Sequence, residues 1–436
     1  MKKYFRKGLI LSAFLVALFA LLFLPGYFGN SQVSAIGQDT YKNLKRFSEV
    51  LNMIEKNYVE EIEPKTLIQG AIKGMIKSLD PHSSFMTADM YKELQVETRG
   101  SFGGIGIVIT IQKDVLTVVS PIEDTPAFLV GVKAGDKIIK INGESAKGIT
   151  IMEAVKKLRG PKDTKVTITV VREGMAEPKD FVITRAIIKI KSVKYKVYDD
   201  IGYVRISAFQ GKTADDLKKA LQDINKEADS LKGLVLDMRN NPGGLLDQAV
   251  KVSDAFIKSG VIVSTKGRVE SVENTYMAKD DGSEPTVPII ILVNGGTASA
   301  AEIVSGALQD NGKAIILGTQ TFGKGSVQTV IPLERGAALK LTTALYYTPK
   351  GKSIQAEGII PDIVVEYIKP SNDKESTGKH IRENNLKRHI KGVREKTKKA
   401  KEPSKKEPDY LKKDNQLKSA IDLLKSWDIF KKTNQG

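Results

Sequence analysis

From residue 200 onward short apolar runs alternate with helix-forming runs, and this alternation restricts the fold more than any other feature of the chain. Strands are expected at 202–207, 233–237, 261–265, 288–294 and 314–318, and helices at 214–227, 246–257 and 298–309. Such trading of strand and helix argues for an α/β core. Two later strands, 327–332 and 338–347, lie closer together and predict hairpins, and the core is expected to end near 363–365.

Upstream of this core the period is different. Phe47, Val50, Leu51, Ile54 and Tyr58 follow helix spacing, and Leu67, Ile68, Ala71, Ile72 and Met75 repeat it after a break at Glu63-Pro64. His82, after the Asp80-Pro81 turn, is the only histidine outside the tail, and a lone histidine after a turn reads as a structural hydrogen-bonder. From about residue 100 the pattern becomes strand-like. A glycine-rich stretch, Gly103-Gly104-Ile105-Gly106-Ile107, precedes a strand and lacks a Lys-Ser/Thr ending, so it is not a P-loop. Its backbone N–H groups can instead receive a carboxylate, while the strand after it offers an edge to an extended peptide.

Charge is unevenly distributed. Residues 1–30 carry four cations and no acid, and residues 371–436 carry 19 Lys/Arg against 10 Asp/Glu, so only +4 of the net +17 is left for 31–370. A body so close to balance argues against nucleic-acid binding. The N-terminus sets Lys2, Lys3, Arg6 and Lys7 before an apolar run at 9–24, the pattern of an export signal or an uncleaved membrane anchor. The body is therefore expected outside the cytoplasm, in the periplasm or cell envelope and anchored to the inner membrane. The chain has no cysteine, which excludes disulfides, Cys-ligated zinc and thiol catalysis. No metal or nucleotide motif appears, and no cofactor is expected. The segment 369–409 reads as a basic flexible linker. At 410–430, Leu411, Leu417, Ala420, Ile421, Leu424 and Trp427 share one face of an amphipathic helix, which reads either as a docking or oligomerisation element or as a surface helix of no special function.

Three segments fall where α/β folds place chemistry, in loops that follow strands. In Leu236-Asp237-Met238-Arg239-Asn240-Asn241-Pro242-Gly243-Gly244, two glycines before a helix expose N–H groups to a developing oxyanion. Ser299 lies at the start of a helix among Ala298, Ala300 and Ala301, where free N–H groups favour negative charge. In Thr321-Phe322-Gly323-Lys324-Gly325-Ser326-Val327-Gln328, a strand would turn Lys324, Ser326 and Gln328 to one face. Burial disfavours an ammonium, so a buried Lys324 can serve as general base for Ser299, with Gln328 orienting its amine. The competing readings are an ordinary turn lysine and a helix N-cap serine.

Two resemblances bear on these alternatives. Gly131-Val132-Lys133-Ala134-Gly135-Asp136-Lys137-Ile138-Ile139-Lys140-Ile141-Asn142-Gly143 resembles the PDZ domains of bacterial proteases, over about 97–185. Val293-Asn294-Gly295-Gly296-Thr297-Ala298-Ser299-Ala300-Ala301-Glu302, Phe322 to Gln328 and Asp237 to Gly244 together resemble three motifs of the carboxy-terminal processing peptidases, or tail-specific proteases. Thr297 and Ala301 stand where that family more often has serine.

The resemblance implies a multidomain α/β and α+β chain. Its parts are a helical N-terminal region (39–96), a PDZ domain (97–185) and a crotonase/ClpP-like α/β protease core (186–368). It implies a serine endopeptidase with Ser299 as nucleophile, Lys324 as base and Gln328 as its orienting partner. The oxyanion would rest on the N–H groups of Ala300 and of Gly243 or Gly244. Gly104, Ile105, Gly106 and Ile107 would bind the free, apolar C-terminus of a protein substrate. Arg159, at the end of a PDZ helix, is a candidate gating residue, and an activator protein and a homo-oligomer are expected partners. A non-catalytic peptide-binding scaffold and a small-molecule enzyme are the competing functions. The intact Ser299, Lys324 and Gln328 count against the first, and the PDZ segment against the second.

Overall fold

The computed structural model describes residues 38–269, 273–368 and 413–433. The segments expected to be an export signal (1–30) and a linker (369–409) lie outside the described residues. Among the described residues no helix is long and apolar enough to cross a membrane. The chain divides into two units, residues 1–75 and 76–436. The first holds α1 (Gln38–Asn57), which has no buried residue, and most of α2 (Pro64–Lys77). Pro64 opens α2, where its missing N–H leaves no helical bond unmade.

The second unit begins with β1 (Ser84–Met86), α3 (Ala88–Arg99) and β2 (Ser101–Gly104). The strands β3 (Ile107–Gln112) and β4 (Val115–Pro121) follow. After them come α4 (Pro126–Leu129), β5 (Lys137–Ile141), β6 (Glu144–Ser145), α5 (Ile151–Leu158), β7 (Lys165–Val171) and β8 (Lys179–Thr184). These strands form an antiparallel sheet of order β3-β4-β5-β7-β8, with β6 on β5. Its core gathers Leu116, Val118, Ile138, Ile141, Ile168 and Ile183. Asp136 of the Gly-Asp pair is fully buried, and Arg172 pairs with both its oxygens at 2.5 and 2.8 Å. β3 ends the sheet, and α5 packs against it, so one strand edge faces a helix. β9 (Ala186–Lys189) turns back to pair with β2 as a separate ribbon.

The core then runs through β10 (Val193–Tyr198), β11 (Ile201–Ile206), α6 (Thr213–Glu227), β12 (Gly233–Asp237), α7 (Leu246–Asp254), β13 (Val261–Gly267) and β14 (Asn274–Met277). It continues with β15 (Ile289–Val293), α8 (Ala300–Asp310), β16 (Ala314–Gly318), β17 (Ser326–Pro332), β18 (Ala338–Tyr347) and β19 (Ile363–Val364). One sheet has the order β10-β11-β12-β15-β16-β19 and is parallel from β11 to β19. The strand expected at 261–265 does form, but it leaves this alternation. β13 pairs antiparallel with β14 and β18 in a second sheet that also holds β1 and β17. Its apolar pattern defines a strand without naming its neighbours.

The six-stranded sheet is covered on both faces, which explains its unbroken apolar runs. Leu234, Leu236, Ile289, Ile291 and Val293 point into the cluster built with α7 and α8. The residues between them, Val235, Ile290 and Leu292, point the other way. There they meet Leu417, Ala420, Ile421 and Leu424 of α9 (Asn415–Thr433). The amphipathic helix at the end of the chain thus docks on the chain's own sheet. Trp427, grouped by spacing with its apolar face, remains 58% exposed, and Leu411 lies outside the described residues.

Leu424 is 2% exposed and sits where Gly233 leaves room, since a Cβ on that glycine would come within 2.9 Å of it. Leu424→Ala should lower the unfolding free energy by about 2–4 kcal/mol. Urea denaturation measures this, and an unchanged midpoint would mean that the helix adds nothing to the core.

Candidate active site

Three loops meet at the carboxyl ends of β12, β15 and β16. The first follows β12. Asn241 caps it from within, donating from Nδ2 to the Ile206 carbonyl at 2.8 Å and accepting the Gly243 N–H at 2.9 Å. The second follows β15 and is stitched to the first. Thr297 donates its hydroxyl to the Met238 carbonyl at 2.9 Å, and Ala298 N–H reaches the Asn241 carbonyl at 2.9 Å. Asn294 and Asn240 exchange two bonds, of 2.9 and 3.0 Å. The third precedes β17 and joins the second where Phe322 N–H meets the Thr297 carbonyl at 3.0 Å. All three segments singled out in the sequence are therefore neighbours.

One side chain joins the second loop to the third. Glu302, in the first turn of α8, is fully buried. Its Oε1 accepts the Thr321 hydroxyl at 2.5 Å and the Gly323 N–H at 2.7 Å. Its Oε2 accepts the Ser299 N–H at 2.7 Å and the Lys324 N–H at 2.9 Å. The backbones of Ser299 and Lys324 thus meet at one oxygen atom. Sequence reasoning gave Glu302 no role, although its spacing of three from a helix-capping serine is a recognisable signal.

Ser299 is 8% exposed and has φ 54° and ψ −116°, a conformation a non-glycine residue adopts only under constraint. Helix α8 accordingly begins at Ala300 rather than at 298. Ser299 occupies the strained turn that links β15 to α8. Gly243 packs directly beneath it. A Cβ there would lie 2.9 Å from both Ala300 N and Ser299 Cβ. Of the N–H groups expected to form an oxyanion site, that of Gly243 is taken by Asn241. Among the described residues, none accepts from Ala300 N–H or Gly244 N–H.

Lys324 is half-buried, and its glycine neighbours have a packing reason. Gly325 lies so close to the 354–355 backbone that a Cβ would be 2.3 Å from Gln355 N. β17 begins only at Ser326, and its register shifts between Val327 and Gln328. Lys324 is therefore positioned by loop hydrogen bonds and not by the expected strand alternation. Gln328 donates its amide to Ser326 Oγ at 2.9 Å and to the Ser326 carbonyl at 3.2 Å. Burial and the positive charge of Lys340 push the Lys324 pKa below the ordinary lysine value, against the opposing pull of Glu302.

His82 also feels the Lys324 charge. Its ring is pushed towards the neutral form by burial and then by Lys324, with Asp80 opposing. This proximity was not legible locally, because it depends on β1 pairing with β18, where Ser84 stands opposite Lys340.

Asp237, at the end of β12, is buried among Tyr203, Arg205 and Arg239. Burial raises its pKa, but the bonds from Arg239 and the charge of Arg205 outweigh that and hold it below the usual carboxylate value. Arg239 then reaches the end of the chain, with bonds to Asp414 at 2.7 and 2.8 Å and to Gln416 Oε1 at 3.0 Å.

In the PDZ region Ile105 is 2% exposed and belongs to the domain's core. Among the described residues, none accepts from the N–H of Ile105 or Gly106. Arg159 pairs with Glu93 of α3 at 2.5 Å, and its guanidinium lies 4.3 Å from the centre of the Phe102 ring.

Residues 200–365 match the family model described as Peptidase family S41, and residues 93–171 match the PDZ domain. Residues 29–90 match the activating protease CtpB N-terminal domain. A carboxy-terminal-processing protease of Bartonella bacilliformis is 50% identical over 360 residues, which covers 82% of this chain and 83% of that protein. A probable CtpA-like serine protease of Staphylococcus aureus is 38% identical over 363 residues, covering 82% of this chain and 71% of that one. Among solved structures, the photosystem II D1 C-terminal processing protease is similar at 29% identity. That match covers 76% of this chain and 88% of that one, with a TM-score of 0.46.

The Glu302 carboxylate predicts a specific loss. Glu302→Gln turns an NH2 group towards two N–H donors and should destabilise the fold by about 2 kcal/mol or more. Amide exchange at Gly323 and Lys324 should accelerate with it. Unchanged protection at both amides would show that this carboxylate does not hold the loop.

Proposed function

Since the chain belongs to peptidase family S41, the serine-type carboxy-terminal-processing proteases with a PDZ domain, we propose that Ser299 is its nucleophile and Lys324 its general base. The observation that carries this reading is the shared Glu302 oxygen, which draws the Ser299 and Lys324 backbones together. The lowered pKa of Lys324 supports it, because only the neutral amine can take a proton.

Ser299 Oγ attacks the scissile carbonyl carbon as Lys324 Nζ accepts its proton. The tetrahedral oxyanion rests on the N–H of Ala300, with that of Gly244 favoured over Gly243, whose N–H already has an acceptor. Lys324 returns the proton to the leaving amine, and water then releases the acyl-enzyme. Gln328 donates from its nitrogen to Ser326, which leaves its amide oxygen to accept from Lys324 Nζ.

The substrate enters as an extended chain with a free, apolar C-terminus. Its carboxylate is received by the N–H groups of Ile105 and Gly106, at the loop from Gly104 to Ile107, and its backbone pairs with the edge of β3. Arg159, held by Glu93, is the gating candidate. Arg159→Ala should then alter peptide affinity or turnover. The cationic start and apolar run at 9–24 support export to the cell envelope and tethering there, where the substrates would be envelope proteins. Membrane fractionation decides that point. The unburied face of α1 supports self-association, which sedimentation decides, and the match at 29–90 supports control by an activator.

The direct test is intact-mass analysis of an unstructured protein with an apolar C-terminus. Wild type should cleave it, and Lys324→Ala should be slower by about a thousandfold or more. Cleavage by both at similar rates would overturn the assignment of the base.

A second test uses the charge next to the lysine. Lys340→Met removes a positive neighbour and should raise the Lys324 pKa. The acid limb of kcat/KM, where activity appears as Lys324 loses its proton, should then move to higher pH. A limb that stays in place would not belong to Lys324.

A further inference from the structure

A cleft of about 370 Å³ lies between the β2–β9 ribbon and the start of α6, and the peptidase mechanism does not use it. Its lining includes Arg99 at the end of α3, Lys189 and Lys191 on the ribbon side, and Lys212 and Lys219 on the α6 side. The single acid lining it is Asp216. Among the described residues, none of these five cations is in an ion pair. Five like charges converging on one concavity repel one another unless an anion lies between them.

The floor of the cleft is buried and polar. Ser192 is 3% exposed, and its hydroxyl bonds Thr213 at 2.8 Å. Gln210 is 9% exposed, and its amide oxygen has no hydrogen-bond partner. An amide left unbonded at such depth is uncommon and marks a place where something else supplies the bond. Oxygen and NH2 exchange by a half-turn of the amide, and the Gln210 side chain would have to turn away from Gly100 to present a donor to an anion in the cleft.

We propose that this cleft binds a compact phosphate-bearing polyanion of two or three phosphoryl groups. A single carboxylate would leave most of the five cations without a partner. A nucleic-acid strand needs a long continuous basic groove, whereas these five cations line one cleft of about 370 Å³. A short polyphosphate group fits the charge and the volume and lets Lys189 and Lys191 share one ligand with Lys212 and Lys219. The bound anion bridges the ribbon that closes the PDZ domain and a helix of the peptidase core.

The test is calorimetric titration of the full-length protein with sodium triphosphate at low ionic strength. Wild type should show one saturable site that weakens as salt is raised. The double variant Lys189→Glu/Lys212→Glu should bind about tenfold more weakly or worse, and Lys313→Glu, outside the cleft, should bind as wild type does. All three lysines are exposed, so the variants should melt as wild type does, which circular dichroism checks. Gln210→Leu, similar in volume, should also weaken binding.

Cosedimentation with cardiolipin vesicles, whose headgroup carries two phosphates, separates the two sources of phosphate. A difference between wild type and the double variant, abolished by triphosphate, identifies a lipid headgroup as the ligand. Equal cosedimentation with intact triphosphate binding identifies a soluble phosphate. Absence of saturable binding at millimolar triphosphate overturns the proposal. So does equal affinity in the wild type and the double variant, or tighter binding of an oligoglutamate peptide than of triphosphate.

Discussion

The Glu302 carboxylate is the constraint on which the site depends. A fully buried carboxylate is tolerated only when its lone pairs are satisfied, and four donors from two loops satisfy them. The same bonds hold Ser299 at a positive φ that the free chain would abandon. The network continues outward. Thr321, which donates to Glu302, accepts from Ile359 N–H at 2.7 Å, and Ala356 N–H reaches the Gly323 carbonyl at 2.8 Å. Removing any one member would leave buried polar groups of its neighbours unpaired, so the turn around Lys324 is shaped as a unit.

A second network fixes the loop expected to hold the oxyanion. Arg239 lies between Asp237, at the end of a central strand, and Asp414, just before the final helix. The helix covers one face of the sheet while its first residues brace the loop that ends in Gly243 and Gly244. The end of the chain is therefore part of the peptidase core, although 369–412 separates it in sequence. This arrangement ties packing on the back of the sheet to backbone geometry at the front.

Much of the site was legible because its segments carry their own punctuation. Glycine pairs and a run of small residues mark where backbone must approach backbone, as Gly243 does beneath Ser299. Lys324 was legible as an unusual lysine between glycines, but the reason first offered for its orientation was strand alternation, and the strand starts two residues later. The approach of Lys340 and His82 to the site was not legible. They reach the site through pairing of β1 with β18, residues more than 250 positions apart. The parallel strands were readable from their apolar runs, whereas the pattern of β13 gave a strand but not its sheet, because period reports burial and not partner.

The sequence by itself determined where most strands and helices of the core fall, which loops are candidates for the chemistry, and which family the chain resembles. Those features reside in local periodicity, in glycine and in short motifs, all of which act over a few residues. Only the tertiary structure decided that one carboxylate serves both loops, that the last helix closes the sheet, and that five cations face one cleft. Each of these depends on contacts between segments far apart in the chain, and local pattern does not encode which distant segments meet.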